Sequence, residues 1–295
     1  MPKIIEVKNL KKYFPVMGGI LPKKISDIKA VENVNFTIRK GETFGLVGES
    51  GCGKSTLGRL IMRLLEPMEG GIYFEGENIS HFNKHKMKKF RTQTQIIFQD
   101  PYSSLNPRMK VEKIIGDALN FHRSLKGEEQ REMAARIIES VGLRSYQIGR
   151  YPHQFSGGER QRISIARALA VGPKLIVADE PVSALDVSIQ AQILNLFLDL
   201  RKEYGLTYLF ISHDLSVVRH ISHTIAVMYL GKILELADKD RLFEEPLHPY
   251  TQALLSAIPI PDPTNTGRRR ILLTGDVPSA IKPPTGCRFH TRCSK

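Results

Sequence analysis

GESGCGKST, Gly48 to Thr56, lies between an apolar run, TFGLV (43–47), and a helix-like one, KSTLGRLIMRLLE (54–66). Strand, GxxxxGK[ST] and helix in that order make a phosphate-binding loop, because loop N–H groups and a helix N-terminus converge on the anion. Gly48, Gly51 and Gly53 let the backbone approach the phosphates. Glu49, Ser50, Cys52 and Thr56 complete the loop's expected contact set. Lys54 is placed to neutralise β- and γ-phosphate charge, and Ser55 to ligate Mg²⁺.

The surrounding chain fits an α/β protein. Short β-branched runs alternate with longer helical patterns: strands are expected at 3–7, 34–38, 43–47, 71–74, 95–98, 175–178 and 207–211. Between Asp100 and Phe155 the strand signal vanishes. KVEKIIGDALNFH (110–122) and EEQREMAARIIESVG (128–142) read as helices, the second ending at Gly142, so a helical insertion is expected within about 100–172. IPIPDPTNTG (258–267) reads as a linker, which divides the sequence into a main domain, 1–259, and a tail, 260–295.

Composition narrows the class. No stretch supplies the roughly 20 apolar residues of a membrane-spanning helix, and MPKIIEVKNL lacks the apolar core of a signal peptide, so a cytoplasmic protein is expected. The net charge of +13 is scattered. Its densest runs, HKMKKFR (85–91) and GRRR (267–270), read as solvated surface or as attraction for nucleotide and an anionic membrane face, and no nucleic-acid partner is expected. Three cysteines do not make a disulfide scaffold.

Several strands end at residues with chemistry. LIVADE (175–180) delivers Asp179, suited to a metal site, and Glu180, suited to act on an attacking water as base or orienting group. LFISHD (209–214) presents His213, a donor to a γ-phosphate oxygen or to that water. QIIFQ (95–99) ends at Gln99, placed for Mg²⁺ or water. FSGGERQR (155–162) is a second anion-binding helix start: Ser156 is a good N-cap, Gly157 and Gly158 admit an anion, and the helix should run to Gly172 and Pro173.

Taken together, GESGCGKST, Gln99, FSGGERQR, LIVADE, SALD (183–186) and His213 resemble the ATP-binding cassette ATPases in order and spacing, over about residues 3–245. The resemblance implies a phosphate-loop NTPase fold of cassette type: a mixed sheet core, an antiparallel β subdomain and a helical insertion. It implies ATP and Mg²⁺ as ligands, with Ser55, Gln99 and Asp179 on the metal and Glu180, His213 and Gln99 in catalysis. Ser156, Gly157, Gly158, Glu159 and Gln161 would face the ATP of a second cassette, and Asp186 would couple the two sites. An aromatic residue should stack on adenine. Phe14 is preferred over Tyr13, although PVMGGILPKKISDIK (15–29) separates it from the next expected strand.

FQDPYSSLNPRM (98–109) and PLHPYTQALLSAIP (246–259) resemble the ATPase subunits of oligopeptide and dipeptide importers, the second of their two paired ATPases. That resemblance implies a paralogous cassette as dimer partner, two membrane permease subunits, an extracytoplasmic peptide-binding protein acting indirectly, and a place on the cytoplasmic face of the membrane. The alternatives are a cassette importing another small solute, such as nickel or modified peptides, and a non-transport cassette acting on nucleic acid. Only 56 residues separate Gln99 from Ser156, where chromosome-type members carry a long coiled coil. GCRFHTRC (286–293) resembles the start of an iron–sulfur motif. With only Cys287 and Cys293 of that motif, no cluster is expected as a cofactor.

Overall fold

The computed structural model describes residues 2–18, 23–258 and 271–293. The strands are β1 (Lys3–Gly18), β2 (Lys23–Arg39), β3 (Thr43–Val47), β4 (Glu69–Phe74), β5 (Glu77–Asn78), β6 (Thr94–Ile97), β7 (Leu175–Asp179), β8 (Thr207–Ser212), β9 (Thr224–Tyr229) and β10 (Lys232–Asp238). The helices are α1 (Lys54–Ile61), α2 (Lys84–Gln93), α3 (Pro101–Ser104), α4 (Val111–Arg123), α5 (Gly127–Ser140), α6 (Gly157–Leu169), α7 (Val187–Tyr204), α8 (Leu215–Ile221), α9 (Lys239–Glu244) and α10 (Pro249–Ser256). The chain divides into two compact units, residues 1–39, 43–81 and 211–295, and residues 40–42 and 82–210.

The first unit holds two sheets. One is antiparallel, in the order β2-β1-β4-β5. The other is mixed: β3 pairs parallel with β9, and β9 pairs antiparallel with β10. Every residue of β3 is buried, as expected of a strand covered on both faces. β1 and β2 are far longer than their expected cores, at 16 and 17 residues. The described part of the stretch 15–29 continues this ladder, with Phe14 opposite Ile28 and Val16 opposite Ser26. Register shifts at several points along β1 break the two-residue alternation, which is why the period signal stopped at Val7.

Helix α1 is shorter than its apolar pattern. It stops at Ile61, and Arg63 turns to φ 48°. The N–H groups of Leu64 and Leu65 both return to the Arg59 carbonyl, and the Arg63 guanidinium donates to the Ile79 carbonyl at 2.8 Å. The apolar residues past Ile61 therefore continue the pattern without continuing the helix.

The second unit carries the parallel pair β6 and β7, the wholly buried β7, most of β8, and the helices of the insertion. Helix α5 closes as expected around Gly142: its N–H donates to Glu139 and that of Leu143 to Ile138. Helix α6 likewise ends before Gly172, at φ 68°. The expected linker, 258–267, lies outside the described residues from 259 onward, as do GRRR and the boundary at 259/260.

Candidate functional site

In the first unit, β3 runs into the loop Gly48–Gly53 and the loop into α1. Gly53, the N-cap of α1, has φ 108°, and a Cβ on it would collide with the Ala30 carbonyl. A Cβ on Gly48 would collide with the Met228 carbonyl. The backbone is therefore confined in a path that side chains could not follow. No side chain caps α1 and no acid occupies its first turn, an arrangement that favours an anion at the start of the helix. The Lys54 ammonium lies inside the loop, donating to the carbonyls of Gly48 at 2.7 Å and Glu49 at 3.0 Å. Burial pushes the Cys52 thiol up, despite Lys54 beside it, so it stays a neutral packing group. Ser50 and Gly51 are exposed at the loop's tip, and Ser55 and Thr56 follow in the first turn of α1.

The loop's underside is made by residues distant in sequence. Leu230 and Gly231, at φ 43° and 83°, form a tight turn between β9 and β10. The Gly231 N–H donates to the Cys52 carbonyl and its carbonyl accepts from the Glu32 N–H, both at 2.8 Å. The Glu49 N–H donates to the Tyr250 hydroxyl at 3.1 Å. Burial raises the Tyr250 phenol, which stays protonated. Neither Tyr250 nor this turn was expected at the site. The stretch that carries Tyr250, PLHPYTQALLSAIP, is marked in the sequence by its resemblance to peptide-importer ATPases, with nothing that ties it to the phosphate loop.

Tyr13 and Phe14 are neighbours on β1 and so project to opposite faces of their sheet. Lys29 Nζ lies 5.8 Å from the Tyr13 ring and Lys12 Nζ 5.6 Å from that of Phe14. His213 follows β8 and is exposed, with the Asp214 N–H held by Ser212 Oγ at 3.0 Å.

The second unit gathers the remaining residues. Asp179 ends β7 at 5% exposure, and Glu180 follows at φ 48°. Gln99 lies two residues beyond β6 rather than at its end, and its amide donates to Glu180 Oε2 at 3.1 Å. Ser183 Oγ donates to the Glu180 carbonyl, also at 3.1 Å. The left-handed Glu180 is thus held from both its side chain and its backbone.

Ser156 caps α6 in a capping box: its hydroxyl accepts from Glu159 N–H at 3.3 Å, and Glu159 Oε2 accepts from Ser156 N–H at 2.8 Å. Two of the helix's leading donors are thereby used, leaving those of Gly157 and Gly158 for an anion. Asp186 caps α7, accepting from Ile189 N–H at 3.0 Å and Ser188 Oγ at 2.8 Å. Those bonds hold its carboxyl below the usual range, that from Ile189 most strongly. The starts of α6 and α7 abut: a Cβ on Gly157 would lie 3.6 Å from Leu185 and one on Gly158 2.5 Å from Ile189. Gln161, one turn further into α6, is 1% exposed.

Among the described residues no three His, Cys, Asp or Glu side chains converge on one point. The expected Mg²⁺ set, a hydroxyl, an amide oxygen and one carboxylate, is a hard-oxygen set of the kind that ion completes with water and substrate phosphates. Cys287 and Cys293 are free thiols. Among the described residues no helix is long and apolar enough to cross a membrane.

Comparison with known proteins identifies the family. Residues 31–183 match the family model "ABC transporter", and residues 234–295 match "Oligopeptide/dipeptide transporter, C-terminal region". The chain is 54% identical, over 98% of its length and 89% of the relative's, to the oligopeptide transport ATP-binding protein AppF of Bacillus subtilis. It is 49% identical, over 99% and 87%, to the dipeptide transport ATP-binding protein DppF of Escherichia coli. Among solved structures it resembles the dimeric post-hydrolysis state of the ATP-binding cassette MJ0796 bound to ADP and Pi, with a TM-score of 0.69 at 30% identity, covering 80% of this chain and 99% of that one. The chain therefore belongs to the ATP-hydrolysing subunits of ABC transporters, in the branch that carries the oligopeptide/dipeptide transporter C-terminal region.

Proposed function

We propose that this ATPase energises the import of dipeptides and oligopeptides, working at the cytoplasmic face of the membrane with two permease subunits, a paralogous cassette and, indirectly, an extracytoplasmic peptide-binding protein. What most supports this reading is the peptide-transporter C-terminal region, residues 234–295, whose Tyr250 is bonded to the phosphate loop itself.

The loop N–H groups and the first turn of α1 receive the triphosphate, and Lys54 neutralises its charge. Phe14, preferred over Tyr13, stacks on adenine. Ser55, Gln99 and Asp179 are the residues that would hold Mg²⁺, which would supply charge neutralisation at the phosphates. Glu180 accepts a proton from the attacking water or orients it, with the Gln99 amide fixing its carboxylate; the Gln99 oxygen would be the metal's. His213 donates to a γ-phosphate oxygen or to the water. The capped start of α6, at Ser156, Gly157 and Gly158, completes the site of the opposing cassette. Asp186 joins the two sites through the start of α7. Hydrolysis removes the contacts that hold the cassettes together, and the pair opens.

Affinity purification of the chain from detergent-solubilised membranes, with identification of what accompanies it, tests the assembly. Two membrane subunits and a different cassette are expected; ribosomes or DNA in their place would overturn the reading.

A further inference from the structure

Glu49 places a carboxylate one residue into a loop built for a polyanion, where unopposed it would repel the phosphates. It is not unopposed. Arg292, from the far end of the chain, donates through Nη1 to both carboxylate oxygens, at 3.2 and 3.0 Å. The Arg292 side chain is 9% exposed, so solvent screens the pair less than it would a surface pair. Its Nη1 also reaches the Tyr229 hydroxyl at 3.4 Å.

The segment that carries Arg292 is anchored. Phe289 is 1% exposed, its ring centroid 5.2 Å from that of Tyr250 and 5.5 Å from that of Tyr229. Arg288 pairs with Glu32 and donates to the Leu230 carbonyl, in the turn whose Gly231 bonds Cys52. Further back along the tail, the Ala280 carbonyl accepts from Lys29 N–H at 3.1 Å. The Glu49 residue is thus held at three points: its N–H by Tyr250, its carbonyl by Lys54 and its carboxylate by Arg292.

We propose that Arg292 is a positioning residue for ATP binding, acting through Glu49: the docked tail cancels that acid's charge and uses it as the handle that fixes the first turn of the phosphate loop. ATP affinity in this chain then depends, in cis, on a tail residue 243 positions from the loop. Arg292 itself touches no phosphate.

A double-mutant cycle tests this, read by titrating the full chain with a fluorescent ATP analogue and by melting each nucleotide-free variant. Arg292→Ala should raise the Kd about tenfold, the scale of a lost charge-assisted hydrogen-bonded pair. Arg292→Lys should recover most of that loss. In a Glu49→Gln background, where no charge remains to cancel, Arg292→Ala should change the Kd by less than about threefold, the signature of coupling. The proposal is overturned if Arg292→Ala stays within about twofold of the parent, or if the loss is the same in both backgrounds. Should Arg292→Ala not fold, Arg292→Gln in the same two backgrounds reads the same coupling. A parent chain that binds no nucleotide would instead sink the ATP assignment itself, so the two failures are distinguishable.

Discussion

Replacing Gly157 with aspartate separates this chain's own nucleotide site from the one it completes on a partner. Gly157 is the first residue of α6, and a Cβ there meets only Leu185 Cδ2, at 3.6 Å, an ordinary contact. The neighbouring Gly158 has no such room, its Cβ falling 2.5 Å from Ile189 Cγ2. The fold should accept the substitution: leaving glycine recovers roughly 0.5–1 kcal/mol of backbone entropy. A carboxylate in the first helical turn adds roughly 0.3–1 kcal/mol. The same carboxylate opposes the partner's ATP. At ~5 Å and an effective dielectric of ~20, a unit phosphate charge repels it by ~3 kcal/mol. That is about 200-fold in the population of the closed pair, before any steric cost. The isolated variant should melt at or slightly above the parental temperature and bind ATP with parental affinity. In the assembled pair, hydrolysis at the partner's site should fall by about two orders of magnitude. Undiminished hydrolysis in the assembled pair would refute the shared-site reasoning, as would a loss matched by weaker ATP binding in the isolated chain.

Lys54→Ala should weaken ATP binding by roughly 10- to 100-fold in a nucleotide titration, since it removes a charged donor that the loop already orients. Glu180→Gln should retain ATP binding and hold the cassettes together while turnover falls roughly 10²- to 10⁴-fold, measured as phosphate release beside size-exclusion chromatography. His248 supplies a pH dependence. Its ring nitrogen accepts the Tyr250 N–H at 3.1 Å at the start of α10, which requires the neutral ring, and burial pulls its pKa below 6.5 against the opposing pull of Glu235. Because the folded-state value lies below the unfolded one, the cap's contribution is full above pH 6.5 and is lost as pH falls through the lowered value. Melting temperatures should drop on acidification below that range, and His248→Asn, which keeps a capping acceptor, should flatten that part of the profile.

The parts of the site visible in the sequence were those whose geometry is local. GESGCGKST, LIVADE and LFISHD each join a buried strand to the residues it presents, and the capping box of FSGGER is complete within four residues. What stayed hidden was long-range or irregular. The extension of β1 and β2 beyond 3–7 and 34–38 escaped because register shifts along their ladder destroy the alternation by which strands are recognised. Tyr250 and Arg292 carry no local signal at all. They lie 201 and 243 residues from Glu49, and only the folded first unit brings them to it.

The most direct test of the central claim is labelled-peptide uptake by proteoliposomes in which this chain is reconstituted with its permease and cassette partners, with ATP supplied on the cassette side. Uptake that requires ATP hydrolysis, and that Glu180→Gln abolishes while ATP binding persists, is the predicted result. Hydrolysis that proceeds with no peptide movement, or uptake unchanged in Glu180→Gln, would contradict it.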